Sequence, residues 1–196
     1  MPRKIKTLYF DMDGVVADFY GAAMEKFGYP RDHRFTLDCA QSWYIWKHMG
    51  VSEEEFWSRC RGHKFWETLN PIKEGVDLLH VCESIVGREN IFFLTHPSRD
   101  EGSYSGKYAW VKREFPEYLG RIIMTGKKHL LAKPGTLLID DSDGNWIDFT
   151  FEGGVAQLVP RPWNRRWDDC LSPQEAPGIR DEVFNLLTHR QENEDE

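Results

Sequence analysis

The 196-residue chain has no apolar run approaching the roughly 18 residues that cross a membrane. Its start, Met1-Pro2-Arg3-Lys4, leads straight into a strand-like segment rather than a secretory leader. The four cysteines (Cys39, Cys60, Cys82, Cys170) stand far apart with no C-x-x-C spacing, which disfavours a disulfide framework or a zinc cluster. Reduced thiols, a cytoplasmic location and no membrane partner are the expectations. Basic residues are also short: 25 Lys and Arg against 32 Asp and Glu leave a net charge of −7, which argues against a polynucleotide partner. No internal repeat is visible, and the acidic end Gln191–Glu196 reads as frayed. What remains, 40% hydrophobic and 29% charged residues, is ordinary globular composition for one domain or a domain with an insertion.

Strand-like and helix-like segments alternate. Thr7–Asp11, Asn90–Thr95, Arg121–Met124, Thr136–Asp141 and Val155–Val159 read as strands. Gly21–Phe27, Pro71–Ile85, Tyr104–Phe115 and Arg180–His189 read as helices, the second with an apolar face of Ile72, Val76, Leu79 and Val86. The fold class predicted is α/β: a Rossmann-like, mostly parallel sheet flanked by helices with right-handed crossovers.

The first strand ends in Asp11-Met12-Asp13-Gly14. Open α/β sheets bind ligands beyond the carboxyl ends of their strands, so two acids arrive where chemistry is usual. A calcium loop would need Glu at its twelfth position, which from Asp11 is Ala22; an ordinary turn would also use Asp and Gly. The chemistry that suits two acids here is phosphoryl transfer, with Asp11 as nucleophile and Asp13 as acid and base. Repulsion between a carboxylate and a phosphate dianion then calls for a divalent cation, and hard oxygen ligands point to Mg²⁺. The other strand ends offer matching groups: Thr95, the lysines Lys127 and Lys128, and Asp140-Asp141. Each alone has a plain role in a turn or cap; together they read as one site.

These four segments resemble the motifs of the haloacid dehalogenase superfamily. Asp11–Phe19, Lys107–Val111 and Leu137–Asp141 are similar to the 5′(3′)-deoxyribonucleotidases, which use Mg²⁺ to remove phosphate from nucleoside monophosphates. The resemblance implies Asp11 as nucleophile, Asp13 as acid/base and Thr95 with His96 beside the phosphate. Lys128 would be the phosphate lysine, with Lys127 and Lys133 as alternatives. The metal would take Asp11, Asp140, Asp141 and Asp13, the last through its backbone carbonyl. Two departures bear on base and sugar preference: His96 stands where the family often has Ser, and Gly126 where it has Arg.

Residues 14–94 separate Asp13 from Thr95, far more than the usual connection of about 2–6 residues. Residues 18–72 read as a small helical cap inserted after the first strand, with Ser52 capping a helix; 1–17 and 73–196 form the core. Four of the eight tryptophans lie in the cap. Most would build its own core, and Phe19, Trp43 and Tyr44 are the candidates for holding a base. Arg161–Trp167, basic and aromatic, reads as a loop over the sheet edge. The expectation is therefore a phosphatase of nucleoside 5′-monophosphates. A phosphatase of another small ester such as a sugar phosphate, or a silent binding protein, remains an alternative, and a homodimer is left open.

Overall fold

A computed structural model describes residues 4–33, 44–166 and 178–192. Five strands, β1 (Thr7–Phe10), β2 (Ile91–Thr95), β3 (Ile122–Met124), β4 (Thr136–Asp140) and β5 (Val155–Leu158), pair in the order β3-β2-β1-β4-β5. Every pairing is parallel. Parallel sheets are covered on both faces and need continuous apolar strands, and Leu137, Leu138 and Ile139 are all fully buried. Phe10 pairs with Phe93 on one side and Ile139 on the other, so β1 is central. The strand order reverses between β1 and β4, which places the crevice of such a sheet at their carboxyl ends.

The helices are α1 (Phe19–Lys26), α2 (Ile45–His48), α3 (Glu53–Arg59), α4 (His63–Glu67), α5 (Lys73–Val86), α6 (Glu101–Glu114), α7 (Asp143–Phe151) and α8 (Ile179–Glu192). Asp18 caps α1 by accepting from Gly21 N, and Ser52 caps α3 by accepting from Glu55 N, as its Ser-Glu-Glu-Glu start predicts. Two expectations need correction. The buried stripe of α5 is Gly75, Leu78, Leu79 and Cys82, not Ile72 and Val86; Ile72 lies at the N-cap, one step before the helix. Asp143–Phe151, where the sequence pattern places no helix, forms one whose N-cap Ser142 accepts from Asn145 N.

Large side chains fill the core: Trp66, Trp110, Tyr118, Phe10, Phe19 and Phe93 are all essentially inaccessible. Each such ring buries about 150–250 Å², on the order of 4–6 kcal/mol gross. Helix α6 shows its inward face at Ser103, Gly106, Lys107, Trp110 and Val111, a helical spacing in which one member is a lysine.

Helix α4, within the stretch read as cap, docks on α6 of the core through two glycines. A Cβ on Gly102 would lie 2.4 Å from His63 N, and one on Gly106 2.5 Å from His63 O and 2.6 Å from Trp66 Cβ. Side chains then hold the end of α4: Trp110 Nε1 and Arg113 Nη2 both donate to Leu69 O, at 2.9 and 2.7 Å. Gly106→Ala should therefore cost about 1–3 kcal/mol by overpacking. The exposed Lys112→Ala on the same helix should stay within about 0.5 kcal/mol. Urea unfolding of the two variants measures the difference.

Candidate active site

Past Phe10 the chain extends the ladder by one bond, Asp11 N donating to Ile139 O at 2.9 Å. It then turns tightly, with Met12 O accepting from the amides of Val15, Val16 and Ala17. Asp11 is thereby held beside the end of β4. Oxygens of Asp11, Asp140 and Asp141 all lie within 4.8 Å of one another, and all three residues are buried. Lys128, 2% exposed in the 3-10 turn Lys128–Leu131, places Nζ 2.7 Å from both Asp11 Oδ1 and Asp140 Oδ2. At that distance and an effective dielectric near 20, each pair attracts by about 6 kcal/mol before desolvation is subtracted.

One ammonium does not balance three carboxylates. Burial, and then the neighbouring acids Asp140 and Asp13, push Asp11 up to about 7, although Lys128 and Lys107 pull the other way. Burial, Asp11 and Asp140 also raise Asp141 well above the carboxylate range. Burial alone would lower Lys128, but Asp11 and Asp140 override it and the ammonium is held more firmly than usual. Fully ionised, the three acids and Lys128 sum to −2. A buried set of hard oxygens carrying that residual charge fits one divalent cation of the Mg²⁺ type.

Asp13 is part of different bonding. Its Oδ2 accepts from Lys107 Nζ at 2.5 Å, while its Oδ1 is buried and has no hydrogen-bond partner. Lys107 is the lysine on the buried face of α6, and it also donates to Thr95 Oγ1 at 2.7 Å and to His96 O at 2.9 Å. Thr95 is fully buried, its oxygen used as an acceptor and its O–H left to donate. His96 lines the cleft above the acids. A Cβ on Gly126 would lie 2.8 Å from His96 Nε2, so the two departures noted in the sequence meet: the imidazole occupies room that a side chain at 126 would take. Burial, then Lys107 and Lys128, lower the pKa of His96 and favour its neutral form.

The acids open into a cleft of about 910 Å³ whose lining includes Asp11, Asp13, Lys128 and Asp141 at one end and Phe19, Trp46, Trp57 and Trp66 along one wall. Phe19 stacks on Trp66 (5.3 Å, 12°) and on Trp57 (5.9 Å, 30°). Phe19 is 2% exposed, its ring packed within this cluster. Tyr44 is 50% exposed, packs edge-on against Trp46 and is not part of the lining. Trp43 lies outside the described residues.

The structure thus gathers Asp11, Lys128, Asp140 and Asp141 into one cluster and sets Asp13, Thr95 and His96 around Lys107. Lys127 and Lys133 are exposed. Sequence reasoning gave no role to Lys107, although a lysine on an otherwise apolar helix face is itself a signal. It also missed Asn145, whose Nδ2 donates to both oxygens of Asp140 at 3.0 and 3.1 Å. Trp163, which donates to Asp141 from a distant loop, left no local trace.

Known proteins resemble this chain in sequence and in fold. The chain is 30% identical to the mitochondrial 5′(3′)-deoxyribonucleotidase of Homo sapiens over 141 residues, covering 67% of this chain and 60% of that protein. It is 26% identical to the cytosolic type of the same species over 151 residues, 73% of each. The matched region spans 60% and 62% of the length of the human and mouse mitochondrial relatives. Among solved structures, a haloacid dehalogenase-superfamily hydrolase of Geobacter sulfurreducens superposes with a TM-score of 0.50 at 15% identity, covering 93% of this chain and 96% of that one, which shows a common fold. A family model described as 5′ nucleotidase, deoxy (pyrimidine), cytosolic type C matches residues 3–184, nearly the whole chain with its acid cluster and cleft wall, and the chain belongs to that family.

Proposed function

We propose that the chain is a Mg²⁺-dependent phosphatase of nucleoside 5′-monophosphates, deoxyribonucleotides first, working through an aspartyl-phosphate on Asp11. The observation that carries this reading is that Asp11 and Asp13 open side by side into a cleft walled by four aromatic rings. The names of the relatives support the deoxyribonucleotide. The free, buried thiols of Cys60 and Cys82 and the cytosolic-type relative support the cytoplasm as its location.

In the first step a carboxylate oxygen of Asp11 attacks phosphorus and the bond to the ester oxygen breaks. Asp13 protonates the departing nucleoside oxygen, and its Oδ1, the oxygen that Lys107 leaves unengaged, is suited to carry that proton. In the second step Asp13 takes a proton from water, the water oxygen attacks phosphorus, and Asp11 is released. Lys128 Nζ, between Asp11 and Asp140, is placed to meet phosphate oxygens as a fixed positive charge. The Thr95 O–H and neutral His96 add contacts at the same end. Asp11, Asp140 and Asp141 would hold the metal ion, which supplies the charge that offsets about 8 kcal/mol of repulsion between Asp11 and a phosphate dianion. The nucleoside would lie against the aromatic wall. Because Phe19 is buried among other rings, half-buried Trp57 is the ring best placed to offer a face to the base.

Asp11→Asn should lower turnover of deoxyribonucleoside monophosphates by at least about 10³-fold and leave circular dichroism unchanged; comparable activity would remove Asp11 as nucleophile. Mg²⁺ at about 100 times its Kd should stabilise the protein by about 2.7 kcal/mol in urea unfolding, EDTA should reverse this, and Asp140→Asn should abolish it. Trp57→Ala should raise KM for nucleotides about 5- to 150-fold, the worth of one stacked base, with kcat changed far less. A phosphate-release assay measures both constants.

A further inference from the structure

We propose that Trp163 is a positioning residue for the metal centre: its indole N–H holds the carboxylate of Asp141 in the orientation that a bound divalent cation needs. The inference rests on the metal-dependent reading above.

Two hydrogen bonds converge on Asp141. Trp163 Nε1 donates to Asp141 Oδ2 at 2.8 Å, with both residues buried. Asp141 Oδ1 accepts no hydrogen bond among the described residues, and Asp141 lines the cleft. One oxygen tied by a donor stops the carboxylate from turning, and the other is presented outward. The residue after Trp163 fixes the backbone. Asn164 Nδ2 donates to Asp141 O at 2.9 Å and to Val159 O at 2.8 Å, joining the ends of β4 and β5. Asn164 Oδ1 accepts from Arg161 N and Arg166 N, so this buried amide is bonded at both ends.

The loop after β1 is shaped around the same pair. Gly14 has φ +73°, and a Cβ there would lie 2.1 Å from Asp141 Oδ2 and 3.0 Å from Trp163 Cζ2. Arg161 Nε donates to Gly14 O at 2.5 Å, and Tyr20 stacks on Trp163 at 5.1 Å and 30°. The loops that follow β1 and β5 are thereby locked to each other with Asp141 between them. The donor's chemistry is also telling. An indole N–H orients a carboxylate without adding charge, so the cluster keeps its residual −2; a lysine in that place would cancel half of it. Of the basic side chains of this loop, Arg165 pairs with Asp143 and Arg166 with Glu182, while Arg161, bonded to Gly14 O, is the one whose charge reaches Asp141.

Trp163→Phe keeps an aromatic ring beside Tyr20 and removes the N–H together with the second ring of the indole. Isothermal titration with Mg²⁺ alone should show affinity weakened about 10- to 100-fold, the usual effect of losing an outer partner of a metal ligand. The loss should vanish in an Asp141→Asn background, because the N–H would then have no carboxylate to orient. If Trp163→Phe misfolds by circular dichroism, Trp163→benzothienylalanine keeps the bicyclic shape without the N–H and should give the same loss. Unchanged Mg²⁺ affinity in the folded variant, or an equal loss with and without Asp141, overturns the positioning role while leaving the metal reading intact. A wild-type protein that binds no Mg²⁺ overturns the metal reading and this inference with it.

Discussion

Three buried carboxylates crowded round a single ammonium are the constraint to which the rest of the molecule answers. Water would dissipate such a charge; the end of this sheet does not let water do so. Lys128 relieves part of the strain, and the raised Asp11 and Asp141 carboxyls show how much is left. Removing the lysine would strand the acids, a far larger penalty than the modest net worth of a buried ion pair. The residual negative charge suits a small divalent cation, and under the proposed function a phosphate dianion would approach only with that cation in place.

The fold supplies the rigidity that this electrostatic arrangement requires. Asp11 and Asp140 stand on the two adjacent strands at which the strand order reverses, so backbone ladders fix their separation. The neighbouring groups come from elsewhere: Lys128 from the turn after β3, Asn145 from α7, Trp163 from beyond β5. Asp13, only two residues from Asp11, is drawn out of the cluster by Lys107 of α6. Two carboxylates close in sequence are thus given different partners. That separation fits the proposed division of labour between a nucleophile and a proton carrier, the pattern expected when neighbouring acids have distinct tasks.

The wall of the cleft is less rigidly specified. Helix α4 is seated on α6 through Gly102 and Gly106, which fixes Trp66 and, through stacking, Phe19. Trp46 and Trp57 belong to α2 and α3, which lack an equivalent glycine seam with the core. Ligand-dependent adjustment is therefore expected in those two helices rather than in α4. The insertion read as one cap contains a part seated on the core through glycines and a part packed on it through side chains such as Ile45, Trp46 and Phe56.

Much of this was legible in the chain. Continuous apolar runs ending in acids announce parallel strands with chemistry at their carboxyl ends, because burial on both faces and the position of the crevice follow from local pattern. Asp11, Asp13, Thr95, Asp140 and Asp141 could be singled out on that basis, Lys128 is preferred to Lys127 only through the family resemblance, and the Ser52 cap followed from its own spacing. What the sequence could not assign was pairing. That the Asp13 side chain pairs with Lys107, that Phe19 packs among other rings, that His96 fills the space over Gly126, and that Trp163 holds Asp141 all depend on residues from 22 to 94 positions apart meeting in space or on rings brought together by helix docking. Local pattern encodes which face a side chain takes; which side chain it finds there is decided by packing, and only the folded chain contains that information.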